Sequence, residues 1–198
     1  MRLEPASRTD RWLEPWLPLV TERAGVGPVL ELGCGSGKDT AVLASAGLHV
    51  VAIDASAEAV ATAKDAVPDA TFLCRDIRAP FPACLAEVGA VIASLSLHYF
   101  SWPETAGLVE RIRSCMRHGG VLLCRLNSTR DHNYGASGYP VISEGYFLVE
   151  GSPKRFFDER NVADLFATGW RTLSCREQVI DRYALPKAVW EVVVERDT

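Results

Sequence analysis

The stretch Val29-Leu30-Glu31-Leu32-Gly33-Cys34-Gly35-Ser36-Gly37 governs how the rest of the chain is read. A short β-rich run passes straight into three alternating glycines, and a helical pattern opens at Lys38. Glycines there let the backbone turn tightly and let a ligand approach where a Cβ would collide. The helix that follows offers unpaired N–H groups to a carboxylate or phosphate. Spacing separates the ligand classes that use such a turn. A GxGxxG fingerprint needs its third glycine at position 38, where Lys38 stands. A GxxxxGK[ST] loop would begin at Leu32 and end at Asp39. Neither fits, whereas the pattern ExGxGxG does.

Around this turn, β-rich runs alternate with helical segments. Val29–Gly33, His49–Ile53, Ala70–Cys74, Ala90–Ser94 and Val121–Leu126 read as strands. Lys38–Ala46, Ala57–Ala66 (capped by Ser56) and Pro103–Met116, closing at Gly119–Gly120, read as helices. Such alternation with apolar strands predicts a parallel sheet covered on both faces. Trp170–Val179 and Ala188–Val194 have no helix between them and should pair antiparallel at one edge. Residues 9–23 read as an amphipathic helix with Trp12, Leu13, Trp16, Leu17 and Val20 on one stripe. The stretch 128–157, rich in Gly, Ser, Asn and Tyr, reads as a lid or substrate loop. One domain over 1–198 is expected, with an amino-terminal helix within 1–27.

Composition narrows the function. The chain has 198 residues, 48% of them hydrophobic, enough for a single full core. A formal charge of −4 argues against gripping nucleic acid or an anionic membrane. No apolar signal segment opens the chain and no run is long enough to span a bilayer, so a cytoplasmic protein is expected. Six cysteines form no CxxC pair and no zinc-type spacing, which predicts neither a disulfide framework nor a metal site.

Glu31-x-Gly33-x-Gly35-x-Gly37 resembles motif I of the class I S-adenosylmethionine-dependent methyltransferases. The resemblance implies a Rossmann-like α/β fold with a mostly parallel seven-stranded sheet, an antiparallel carboxy-terminal edge pair and helices on both faces. It implies S-adenosyl-L-methionine as cofactor, with Glu31, Gly33, Cys34, Gly35 and Gly37 around its amino-acid end. Asp54, closing the second strand before Ala55, would accept hydrogen bonds from the ribose diol, a feature shared with NAD enzymes. Asp76 and the Ile77 N–H would meet the adenine ring, and Ser94 and Leu95 would line the methionine end. The match is good over about residues 28–127. Beyond it, Lys154-Arg155-Phe156-Phe157-Asp158, Arg182-Tyr183 and Pro186-Lys187 resemble a bacterial tellurite-resistance-like subgroup.

The expected activity is methyl transfer to a small nucleophile such as a thiol or chalcogen oxyanion. His98 and Tyr99 are the catalytic candidates, as a base or an orienting group, with plain packing as the alternative. His132, Tyr134, Arg155 and Arg182 are the candidate acceptor contacts; Lys154, Arg155, Arg182 and Lys187 together would favour an anion. Trp12 and Trp16 either pack in the core or close over the cofactor. No Asn/Asp-Pro-Pro-aromatic segment follows the fourth strand, which disfavours nucleic-acid bases as acceptors. A non-catalytic S-adenosylmethionine-binding sensor and an NAD-linked oxidoreductase are the competing classes. Oligomeric state is not legible.

Overall fold

A computed structural model describes residues 10–181 and 183–197 of the chain. Positions 1–9, where the amino-terminal helix was expected to begin, and positions 182 and 198 lie outside the described residues. β1 (Val29–Leu32) is buried at all four positions, as a strand sandwiched between two helical layers must be. It is joined by β2 (Val50–Asp54), β3 (Thr71–Cys74), β4 (Val88–Ser94) and β5 (Met116–Asn127), all parallel. β9 (Trp170–Ile180) and β10 (Lys187–Arg196) complete a seven-stranded sheet ordered β3-β2-β1-β4-β5-β10-β9. β10 runs antiparallel to both its neighbours, so the antiparallel edge is as expected.

Strand alternation sends successive side chains to opposite faces. Leu30 and Leu32 join the core under α4 (Trp102–Cys115) and α5 (Glu159–Leu165), while Val29 joins the core under α1 (Leu17–Ala24), α2 (Lys38–Ser45) and α3 (Ala57–Ala66). Local chemistry sets the helix starts. The Ser56 hydroxyl accepts from the Ala59 N–H at 3.2 Å, a cap worth ~1 kcal/mol. Ser101 and Glu104 form a capping box at α4.

Three expectations need correction. The amino-terminal helix is shorter: a 3₁₀ turn at Glu14–Trp16 precedes α1, because Pro15 and Pro18 withhold the N–H groups that a continuous helix would use. Trp12 and Leu13 are buried ahead of it. The fifth strand begins at Met116 and contains Gly119-Gly120, which therefore do not end the preceding helix. The stretch 128–157 is no simple loop. It carries an antiparallel sheet of its own, β6 (Val141–Ser143), β7 (Tyr146–Val149) and β8 (Ser152–Arg155). Glu150-Gly151, both at positive φ, form the tight turn between the last two strands. Among the described residues no helix is long and apolar enough to cross a membrane.

Candidate active site

Open α/β sheets bind ligands where the strand order reverses, beyond the carboxyl ends of the strands. The reversal in this sheet falls between β1 and β4, and a cavity of about 640 Å³ opens there. The glycine turn forms its floor. At Gly33, φ is +74° and an added Cβ would stand 2.4 Å from the Ser96 Cβ, so only glycine lets the turn and the segment after β4 pack together. Beside Gly35 the space is open, with nothing within 4 Å of where a Cβ would project. Gly37 caps α2 in the left-handed conformation.

Carboxylates crowd one end. Asp54 accepts from the Gly35 N–H and from the Ser56 N–H, each at 2.8 Å, which ties the second strand to the glycine turn. Glu31, buried, accepts from the Thr40 hydroxyl at 2.6 Å. Asp39 accepts from the Trp12 indole N–H at 3.2 Å. Asp76 pairs with Arg78 at 2.7 Å, and that guanidinium holds its carboxyl below the usual carboxylate range. Cys34 sits among these groups. Burial, then the charges of Glu31 and Asp54, push its thiol up to about 12.

The opposite wall is built after β4. Leu95 adopts φ +55°, a conformation costing a non-glycine residue ~1–3 kcal/mol, and such strain clusters at ligand sites. His98, only 4% exposed, follows on a 3₁₀ turn, Leu97–Tyr99. Burial, then the nearby charges of Lys187 and Lys154, push its imidazole down to about 3, so the ring is neutral. Its Nδ1 and the hydroxyl oxygens of Ser94 and Ser96 are buried without a hydrogen-bond partner among the described residues. Tyr99 stacks on His98 with ring centroids 4.2 Å apart, and burial, then Asp54, raises its phenol.

The small sheet closes the far end. The Tyr146 hydroxyl donates to the Tyr99 carbonyl at 3.0 Å, and Arg155 donates to the Phe100 and Glu144 carbonyls at 3.2 and 3.3 Å. Lys154 and Tyr134 line the cavity from this side, joined by Tyr183 and Lys187 from the approach to β10. Lys187 pairs with Asp131 at 2.7 Å, with side-chain exposures of 9% and 0%. Its ammonium stands 4.8 Å above the Tyr134 ring centroid, and the Tyr134 hydroxyl donates to the Leu185 carbonyl at 3.0 Å.

The expected residues Glu31, Gly33, Cys34, Gly35, Asp54, Ala55, Asp76, Ile77, Ser94, Leu95, His98, Tyr99 and Tyr134 therefore meet at one cavity, with Gly37 just behind it. His132 and Arg155 do not line it. The His132 ring turns to the Ser137 hydroxyl 3.3 Å away, and Arg155 braces the cap with its guanidinium under the Tyr146 ring, 4.8 Å from its centroid. Arg182 lies outside the described residues. Trp12 and Trp16 also stay off the cavity; Trp12 packs beneath the Arg125 guanidinium, 4.5 Å from its ring centroid. Sequence reasoning missed Asp39, Ser96, Phe100 and Tyr183 as wall residues. Asp39 was findable as an acid in the first turn after the glycines; Tyr183 stood only in a carboxy-terminal motif, with nothing local to place it in the wall.

Known proteins identify the family. A family model described as a methyltransferase domain matches residues 29–120. Demethylmenaquinone methyltransferase of Beutenbergia cavernae is 32% identical over 193 residues, covering 87% of this chain and 79% of that protein. The chain belongs to the class I S-adenosylmethionine-dependent methyltransferases. Trans-aconitate 2-methyltransferase of Azoarcus sp. (strain BH72) is 33% identical over 146 residues, 72% of this chain and 53% of that protein. The chain thus spans about half the length of several curated relatives that it matches. A crystal structure of an S-adenosylmethionine-dependent methyltransferase from Methanosarcina mazei superposes with TM-score 0.76 at 18% identity, covering 91% of this chain and 97% of that one. That likeness supports the Rossmann-like methyltransferase fold. The cavity of this methyltransferase suits the family's cationic cofactor: open space beside Gly35, acids lining one end, and unpartnered polar atoms in the opposite wall.

Proposed function

We propose that the protein transfers the methyl group of S-adenosylmethionine to a small-molecule acceptor by in-line displacement. The observation that carries this reading is the continuity of one cavity from the acid-lined glycine turn, past His98, to an end walled by lysine and tyrosine. Asp54 would take the ribose hydroxyls with the lone pairs that Gly35 and Ser56 leave free. Glu31 and the turn at Gly33–Gly35 would flank the amino-acid end. Asp76 and the Ile77 N–H would meet the adenine edge. When bound, the cofactor supplies a methyl carbon activated by a positive sulfur.

The chain supplies position and dryness. His98, neutral and deep in the wall, holds an acceptor by hydrogen bonding and is a poor proton acceptor at ordinary pH. Tyr99 keeps its phenolic proton. The acceptor is thereby expected to arrive already nucleophilic, as thiolates, chalcogen oxyanions and other anions do. The finer membership of a tellurite-resistance-like subgroup belongs to this same reading.

Two measurements test the proposal. Calorimetry should detect S-adenosylhomocysteine binding and no comparable affinity for NADH. Labelled S-adenosylmethionine incubated with thiols, selenite, tellurite, phenols and carboxylic acids should pass its label to at least one of them. Tight cofactor binding with no transfer across that range would replace the enzyme with a sensor.

A further inference from the structure

We propose that the methyl acceptor carries a carboxylate, and that Lys154 holds it against a wall made by Tyr134, Tyr183 and the Lys187–Asp131 pair. This deepens the methyltransferase reading and rests on it. Lys154 lies on β8, half-buried, and lines the cavity. Its ammonium has no hydrogen-bond or ion-pair partner among the described residues. An ammonium drawn part-way out of water without a counter-charge is unfavourable, and a ligand anion removes that cost.

The balance of charge sets the ligand's valence. Lys187 is already neutralised by Asp131. His98, its Nδ1 unpartnered, adds no charge. Among the described residues, this end of the cavity therefore holds one uncompensated positive charge, that of Lys154. A monoanion matches it. A phosphate dianion would exceed it, in a cavity whose other end is lined by Glu31, Asp39, Asp54 and Asp76 against the single cation Lys38. Arg155, which would change this count, spends its guanidinium on the Phe100 and Glu144 carbonyls. The rings of Tyr134 and Tyr183, 5.5 Å apart, give a flat apolar body something to lie against.

The test uses the full chain saturated with S-adenosylhomocysteine and titrated with benzoate against benzamide and hexanoate against hexanamide. Each acid should bind at least 10-fold more tightly than its amide. Lys154→Met should erase that preference and Lys154→Arg should keep most of it. Both variants should bind S-adenosylhomocysteine within about twofold of the parent, which shows that the fold is intact. Acids and amides binding alike, no acid binding, phosphate or tellurite binding more tightly than the acids, or a preference that survives Lys154→Met would each overturn the proposal. If the parent protein fails to bind S-adenosylhomocysteine, the methyltransferase reading itself falls, a result separable from all of these.

Discussion

One end of the cavity is made by backbone and the other by long side chains. At the end proposed for the nucleoside a single turn does most of the work, and β1, β2 and β3 lead to Glu31, Asp54 and Asp76 from neighbouring parallel strands. At the end proposed for the acceptor, Lys154, Tyr134, Tyr183 and Lys187 come from three separate stretches: the small sheet's bonds to Tyr99 and Phe100 fix the strand of Lys154, and the Lys187–Asp131 pair and the Tyr134–Leu185 bond tie the other two. The first end is rigid because its geometry follows from sheet register. The second depends on contacts that other sequences can exchange without disturbing the sheet. A family can therefore keep one ligand and vary the other.

The hardest way to break this division is Gly33→Val. A Cβ there needs the room that Ser96 fills and a backbone conformation that valine resists. Overpacking and strain together should cost roughly 3 kcal/mol or more, read as a lowered urea midpoint and lost S-adenosylhomocysteine binding. Asp54→Ala comes next, weakening S-adenosylhomocysteine by ~1–3 kcal/mol in calorimetry through loss of charged hydrogen bonds. Unchanged affinity would refute the placement of the ribose.

A pH series sharpens the contrast. His98 titrates at about 3 in the fold, against ~6.5 when unfolded, so below pH 6.5 the unfolded chain binds a proton that the native chain refuses. Its contribution to stability is intact above pH 6.5 and declines as pH falls toward 3, by ~1 kcal/mol per unit. His98→Gln should flatten the denaturation midpoint between pH 6.5 and 4.5 relative to the parent; parallel curves would show that His98 is not buried neutral. The smallest effect is expected from Tyr134→Phe. It removes the hydroxyl's bonds to Leu185 and should cost ~1 kcal/mol of stability while leaving S-adenosylhomocysteine affinity untouched. Lost cofactor affinity in that variant would show that the two ends are not separable.

The same division explains what the sequence made legible. Glu31, Gly33, Gly35 and Asp54 could be placed from spacing because strand and turn geometry fix where they go. The seven-stranded sheet followed from strand–helix alternation for the same reason. The small sheet at 141–155 was hidden because its strands are short and partly exposed, giving weak periodicity beside conspicuous turn residues. Arg155 looked like an acceptor contact by charge alone; only the fold shows that carbonyls and the Tyr146 ring occupy it. The joining of Lys187 to Asp131 and Tyr134 is tertiary, and no local pattern announces it.

The sulfur of Cys34 stands on the turn that would cradle an alkylating cofactor. A thiolate there would compete with the intended acceptor and methylate its own loop, since the deprotonated form is the nucleophile. With the thiol pushed up to about 12, on the order of one molecule in 10⁵ carries it at pH 7. Burial, reinforced by the carboxylates around Cys34, thus acts as a safeguard against self-modification, keeping a reactive atom idle at the place where reactivity would do most harm.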